Sequence, residues 1–188
     1  MKKFFFSFVK KLLKKNYYNF LLYFFHLFPS NFKGYSLENN LNIINKVIQR
    51  HSCSSLLDYG CGKALMYSKK KLFNKSIKKI FLYDPYYFKF MIKPSDKYDI
   101  TICTDVMEHI KKRDANTVIK NINKFTKKAI FFSISTELAK KHLPDGTNAH
   151  INLLKKDIWI KKIKNYQKKN ITTYLRFNNE NKVYKIKN

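Results

Sequence analysis

The chain has 188 residues, 45% of them hydrophobic, which suffices for one domain with a buried core and is too few for two. With 17 Phe and 13 Tyr, the composition excludes an intrinsically disordered protein. The net charge of +27 is compatible with a polyanionic partner, either nucleic acid or an anionic membrane. Because the lysines are spread over the whole chain, compositional drift is the favoured explanation of this charge.

Residues 1–30 form a basic, aromatic segment, MKKFFFSFVKKLLKKNYYNFLLYFFHLFPS. Its apolar run is shorter than the roughly 20 residues of a transmembrane helix, and no small-residue cleavage site follows a signal-like core. Lysines mixed with Phe and Leu are typical of an amphipathic helix at a membrane interface, and the alternative is a helix that packs on the domain or caps its active site. We predict a helical N-terminal extension over residues 1–30 and the main domain over residues 31–188.

The main domain alternates between helical and strand-like patterns. Periodicity predicts helices over residues 36–50, 64–73, 114–125 and 155–165, and strands over residues 54–58, 78–84, 98–105, 127–135, 171–177 and 182–187. This alternation predicts an α/β fold with a mostly parallel sheet and helices on both faces. The last two strands have no helix between them, so we expect them to pair as a C-terminal antiparallel hairpin.

Acidic residues and glycines follow the predicted strands. The first strand ends in Asp58-Tyr59-Gly60-Cys61-Gly62, the second in Asp84 and the third in Asp105. In a parallel sheet, ligands bind at the carboxyl ends of the strands where the winding reverses, and glycines allow a tight turn and a close backbone approach. Asp84 is well placed to accept hydrogen bonds from ribose hydroxyls.

The turn itself reads DYGCGKA and differs from a dinucleotide-binding G-x-G-x-x-G motif, because Leu65 occupies the place of the third glycine. With an acid two residues before the first glycine, it resembles motif I of the class I S-adenosylmethionine-dependent methyltransferases, with Ala64 replacing the last glycine. The stretches YDPYY and YDITICTDVMEHI continue the resemblance, which covers roughly Ser55 to Phe177.

This resemblance implies a Rossmann-like class I methyltransferase fold in the main domain, with S-adenosylmethionine as cofactor. It places the methionine end near the glycine turn and Asp105, the ribose at Asp84 and the adenine beside Tyr86. Because only 14 residues separate Asp84 from Asp99, the family's third strand is expected to be short or missing. The implied cofactor-binding residues are Asp58, Tyr59, Gly60, Cys61, Gly62, Asp84, Pro85, Tyr86, Thr104, Asp105 and Val106.

Methyl transfer to a hydroxyl requires an aligned acceptor and a group that takes up its proton. His109 and His150 are the candidates for this catalytic role. The polar loop LPDGTNAH follows the fourth strand, and Asp145 and Asn148 in it are candidates for substrate binding. The alternatives are that Pro144-Asp145-Gly146 forms an ordinary turn and that His150 is a packed, hydrogen-bonded histidine.

A metal site is a further alternative at this end of the sheet. Asp105, Glu108 and His109 would converge if a helix began at Asp105, and His150 could supply a fourth ligand. This arrangement is similar to that of the metal-dependent 2′-O-methyltransferases that modify small-RNA 3′ ends. We predict that no metal is bound and keep this set of ligands as the alternative.

We therefore expect a cytoplasmic, S-adenosylmethionine-dependent methyltransferase that methylates an oxygen of a small-molecule or glycan-like acceptor. The alternatives are a metal-dependent RNA 2′-O-methyltransferase, and a cofactor-binding, membrane-associated accessory protein without turnover. Residues 1–30 are the predicted site of peripheral contact with the inner face of a membrane. Nucleic acid is a less favoured partner. Cys53, Cys61 and Cys103 form no CxxC pair, which predicts reduced thiols.

Overall fold

A single six-stranded sheet organises the chain in the computed structural model, which describes residues 2–68 and 72–187. The strands are β1 (Ser55–Tyr59), β2 (Lys79–Tyr83), β3 (Tyr98–Thr104), β4 (Thr126–Ile134), β5 (Thr172–Phe177) and β6 (Val183–Ile186). The α-helices of the described residues are α1 (Lys2–Leu13), α2 (Tyr17–Leu27), α3 (Leu41–Arg50), α4 (Ala115–Phe125) and α5 (Lys156–Lys164).

The strand order is β2-β1-β3-β4-β5-β6. All pairs from β2 to β5 are parallel, and β6 pairs antiparallel with β5 at the edge. The chain winds from β1 outward to β2 and then crosses to β3 on the other side of β1, so the winding reverses between β1 and β3. The predicted α/β class, the mostly parallel sheet and the C-terminal hairpin are confirmed.

Helices cover both faces of the sheet because its central strands are apolar on both sides. All seven residues of β3 are buried. Ile119 of α4 and Trp159 of α5 pack in one hydrophobic cluster, while Ile44 and Ile48 of α3 pack in another on the opposite face. Burial of strands on both faces is the expected state of a parallel sheet.

Local structure differs from the predictions in two places. The helix predicted over residues 36–50 begins as a 3-10 helix at Tyr35–Asn40 before α3. The helix predicted over residues 64–73 is a 3-10 helix at Leu65–Ser68, and residues 69–71 lie outside the described residues. Residues 84–97 contain a 3-10 turn at Phe88–Phe90 and no strand, so the chain runs from β2 to β3 without an additional strand.

The two N-terminal helices pack against the main domain. Leu21 and Leu22 of α2 are buried in a cluster that also contains Leu143 and Ala149 from the loop after β4. A helix buries its apolar stripe wherever a second apolar surface is available, so this packing follows from the aromatic sequence of the segment. Among the described residues, no helix is both long enough and apolar enough to cross a bilayer.

We predict that Gly62→Ala lowers the free energy of unfolding by about 2 kcal/mol more than Gly146→Ala does, because the added methyl group has no room. Gly62 has φ +56°, and a Cβ there would lie 2.4 Å from the backbone oxygen of Phe32. Gly146, with φ +89°, has open space around the same position, so it controls for backbone strain alone. Urea denaturation measures both variants, and equal losses would contradict the steric explanation.

Candidate functional site

A cavity of about 400 Å³ lies at the carboxyl ends of β1, β2 and β3, where the winding of the sheet reverses. Helix α2 and the segment after it also line the cavity, through Tyr18, Leu22, His26 and Phe32. The predicted residues that line it are Tyr59, Gly60, Cys61, Gly62, Asp84, Pro85, Tyr86, Thr104, Asp105, Val106 and His109. The predicted residues that do not line it are Asp58, Glu108, Asp145, Asn148 and His150.

The glycine turn uses all of its amide groups within the protein. The N–H groups of Gly60 and Cys61 both donate to the carbonyl of Tyr83, at 2.7 and 3.1 Å. Those of Gly62 and Lys63 donate to Asp84 Oδ2 and to the Phe32 carbonyl, at 2.9 and 2.7 Å. A phosphate cradle requires free backbone N–H groups, so this turn is not one, and a ligand without phosphate suits the cavity better.

Asp84 connects the glycine turn to the end of β2. Its Oδ2 accepts from the Gly62 amide and its Oδ1 accepts from the Tyr86 amide at 2.9 Å. Each carboxylate oxygen can accept a further hydrogen bond, and the side chain borders the cavity. Asp84 is therefore able to accept hydrogen bonds from hydroxyl groups of a ligand while it holds the glycine turn in place.

Asp58 lies beneath the turn rather than in the cavity. Its Oδ2 accepts from the Tyr67 hydroxyl at 2.8 Å, and its Oδ1 is buried without a hydrogen-bond partner among the described residues. Burial raises the pKa of Asp58 to about 7, although the hydrogen bond from Tyr67 opposes this shift. This position gives Asp58 a role in supporting the turn, and its predicted contact with the cofactor stays a prediction.

Asp105 directly follows β3 and has a left-handed backbone conformation, with φ +54°. Its amide donates to the carbonyl of Ser133 at 2.9 Å, and its Oδ1 accepts from the Ser133 hydroxyl at 2.7 Å. Burial raises the pKa of Asp105. Since the backbone turns at Asp105 before the 3-10 helix Met107–His109, the continuous helix that would bring Asp105 toward Glu108 and His109 does not form.

Three side chains after β3 and β4 do form a group that could hold a cation. One ligand atom each from Glu108, His109 and His150 lie within 4.8 Å of one another, and Asp105 does not belong to this group. Glu108 Oε1 accepts from the Ser135 amide at 3.1 Å, while the buried Oε2 has no hydrogen-bond partner among the described residues. A buried carboxylate oxygen without a donor fits a cation or a proton equally well.

Hydrogen bonds fix the tautomers of both histidines. His109 Nδ1 donates to the Ala149 carbonyl at 2.8 Å, and His150 Nδ1 donates to the Glu137 carbonyl at 2.6 Å. Each Nε2 therefore carries a lone pair when the ring is neutral, which suits a proton acceptor or a metal ligand. Burial, together with His150, lowers the pKa of His109 to about 4, so this imidazole is neutral at pH 7.

The loop residues predicted to bind substrate make structural contacts. Asp145 Oδ2 accepts from the Tyr17 hydroxyl at 3.0 Å, which connects the loop to α2. Asn148 Oδ1 accepts from the Ala139 and His150 amides at 3.0 and 2.9 Å. Both residues hold the loop that positions His150, and their contact with an acceptor stays a prediction.

The sequence reasoning missed His26, which belongs to the cavity. Its Nδ1 donates to the Leu22 carbonyl at 2.7 Å, and its ring stacks on that of Phe32 with ring centroids 4.1 Å apart. Its Nε2 is buried, lies 3.6 Å from Asp84 Oδ1 and has no hydrogen-bond partner among the described residues. The one sequence feature that could have indicated His26 as a site residue is that it is the single ionisable imidazole in the apolar run of residues 20–28.

No protein-family model, no curated protein and no solved structure matches this chain. The resemblance to class I methyltransferases therefore stays a prediction from the sequence motifs. The three cysteines are free and buried, in agreement with the predicted reduced thiols.

We predict that Glu108→Gln stabilises the protein increasingly as the pH rises from 5 to 8. Burial raises the pKa of Glu108 from 4.5 to about 8, so between these values the folded state holds more protons than the unfolded state. The wild type therefore loses stability across this window, and the variant escapes that loss, with a difference on the order of a few kcal/mol.

Denaturation at a series of pH values measures this difference. Glu38→Gln is the control, because it makes the same chemical change at an exposed side chain. A difference between Glu108→Gln and the wild type that does not vary with pH would contradict the raised pKa.

Proposed function

We propose that this protein is an S-adenosylmethionine-dependent methyltransferase that methylates an oxygen of a small-molecule or glycan-like acceptor. The observation that carries the proposal is the cavity at the reversal point of the sheet, where the glycine turn, Asp84 and Thr104 meet. It combines a carboxylate for ribose hydroxyls with a turn whose amides are all engaged, which favours a nucleoside without phosphates.

The residues of the cavity fit the proposed cofactor by their chemistry. The free acceptor capacity of Asp84 and the unpaired His26 Nε2 suit the hydroxyls of a ribose, and Tyr86 offers an aromatic ring at the same end. Thr104 and Asp105 provide polar groups, and the Asp105 carboxylate suits the ammonium of an amino acid. When bound, S-adenosylmethionine supplies an electrophilic methyl group on a sulfonium.

His109 is the residue that we assign to proton transfer. It borders the cavity, its Nδ1 is anchored to Ala149, and its neutral Nε2 can take the proton of an attacking hydroxyl. Phe32 packs edge-on against the imidazole at 5.5 Å between ring centroids and restricts its orientation. The ring of His150 packs edge-on against that of His109, with ring centroids 4.8 Å apart. His150 therefore acts in this mechanism as a residue that positions His109.

We expect calorimetry to detect binding of S-adenosylmethionine to the wild type and about 10- to 100-fold weaker binding to Asp84→Asn, because a charged hydrogen-bond acceptor is lost. Asp145→Asn is the matched control, since it makes the same chemical change outside the cavity lining. Melting temperatures show whether Asp84→Asn remains folded. No binding by the wild type, or equal binding by both variants, would contradict the proposal.

A screen with a labelled methyl group over sugars, lipids, small molecules and RNA then identifies the acceptor. We expect His109→Ala to lower turnover by about 10²- to 10⁴-fold while cofactor binding changes little, because only the proton acceptor is removed. Unchanged turnover in that variant would contradict the role assigned to His109.

The geometry of Glu108, His109 and His150 favours a second candidate, a metal-dependent RNA 2′-O-methyltransferase. These residues would hold a divalent cation with one carboxylate and two imidazoles. For this candidate we expect activity on RNA that a chelator abolishes, an RNA affinity that falls steeply with salt, and loss of both metal and activity in His150→Ala. Chelator-resistant turnover on a glycan or small molecule would exclude it.

A further inference from the structure

Helix α1 has two apolar faces, and the protein covers only one of them. Phe6, Val9 and Leu13 pack into the cluster that joins α1 and α2. Phe4, Phe8 and Leu12 follow one another at intervals of four residues and are 86%, 67% and 69% exposed. Side chains at this spacing form one stripe along a helix, so α1 presents a continuous apolar stripe outside the protein.

The exposed aromatic surface continues from α1 onto the end of α2. Phe5 contacts Phe6, Phe6 contacts Phe24, and Phe24 contacts Phe28, with ring centroids 5.2, 6.0 and 5.4 Å apart. Phe5 and Phe28 are 52% and 44% exposed and line a mainly apolar crevice of about 530 Å³, which the N-terminal helices form together with the loop after β4. A patch of this kind on a protein surface indicates an interaction site.

The charge of this region selects the kind of partner. Residues 1–37 contain seven lysines and no acidic residue. Among them, Lys10, Lys11, Lys14 and Lys15 are exposed around the end of α1. An apolar stripe bordered by lysines is complementary to the anionic headgroups and acyl chains of a bilayer, whereas a stripe that joins two copies of this chain would bring like charges together.

The basic surface extends to the cavity. Lys111 Nζ and Arg113 Nη2 both donate to the Lys15 carbonyl, at 2.9 and 3.3 Å, so these cations are held beside Lys14 and Lys15. Together with Lys112 they line a surface depression of about 410 Å³. Lys111 lines this depression and also the cavity, which places the basic surface at the edge of the candidate site.

We propose that α1 and the adjoining lysines dock the protein on an anionic phospholipid bilayer. The exposed stripe of Phe4, Phe8 and Leu12 enters the interface, and the lysines contact the headgroup phosphates. Docking in this way holds the basic depression and the neighbouring cavity close to the membrane surface. This inference goes beyond the proposed function, because vesicle binding requires neither the cofactor nor turnover.

The experiment is flotation of the full chain with vesicles of phosphatidylcholine, with and without phosphatidylglycerol. We expect binding to the anionic vesicles that weakens with salt, and loss of at least about tenfold in the triple variant Phe4→Gln, Phe8→Gln, Leu12→Gln, because the inserted apolar groups are removed. Changing Lys10, Lys11, Lys14 and Lys15 to Gln should cost at least about tenfold as well.

The control variant is Phe88→Gln, Ile92→Gln, which removes apolar side chains that are 65% and 76% exposed elsewhere on the protein. It should bind vesicles as the wild type does. Point substitutions on the exposed stripe are preferable to deletion of residues 1–30, because deletion would remove the buried Leu21 and Leu22 from the core. Circular dichroism verifies that the variants keep their helices.

Three results would overturn the proposal. The first is no binding of the wild type to anionic vesicles, and the second is equal losses in the stripe and control variants. The third is a wild-type dimer that becomes monomeric in the stripe variant without vesicle binding in either, which would identify the stripe as a contact between two copies. Calorimetry with S-adenosylmethionine on the same samples tests the proposed function separately.

Discussion

The candidate site depends on the hydrogen bonds that the carboxylate of Asp84 accepts from the backbone. This carboxylate accepts hydrogen bonds from the Gly62 and Tyr86 amides and thereby fixes the glycine turn against the end of β2. His26 of α2 faces the same carboxylate at 3.6 Å, so the N-terminal helices meet the parallel sheet at this point. A buried carboxylate is stable only where donors compensate for its lost hydration, and here the backbone of two turns provides them.

Burial shifts the pKa values of several ionisable groups in and around the candidate site. Asp58, Asp105 and Glu108 all have raised pKa values, while His109 has a lowered one, because removal from water disfavours the charged form in each case. At neutral pH the His109 imidazole is therefore neutral, while the pKa values of Asp58 and Glu108, about 7 and 8, lie near the pH itself. Groups in this state can exchange protons with a ligand or accept a cation, and perturbed pKa values of this kind are frequent at functional sites.

The N-terminal helices contribute both to the cavity and to the exterior. One face each of α1 and α2 packs in a cluster with the loop after β4, and His26 and Tyr18 border the cavity. The sequence left open whether residues 1–30 pack on the domain or face a membrane, since both predict an amphipathic helix. The packed face and the exposed stripe of α1 make the two interpretations compatible, because different sides of one helix serve them.

The sequence by itself determined the strands, their order along the chain and the polar residues at their carboxyl ends. Short apolar runs that end in an acid or glycine specify these features locally, and parallel strands bring their ends to one edge. Only the tertiary structure decided which of these residues reach the cavity. Asp58 turns beneath the glycine turn, Asn148 holds a loop, and His150 meets His109 across 40 residues of chain. Such placements depend on long-range packing and on the donors that surround each buried group, which no local pattern in the sequence encodes.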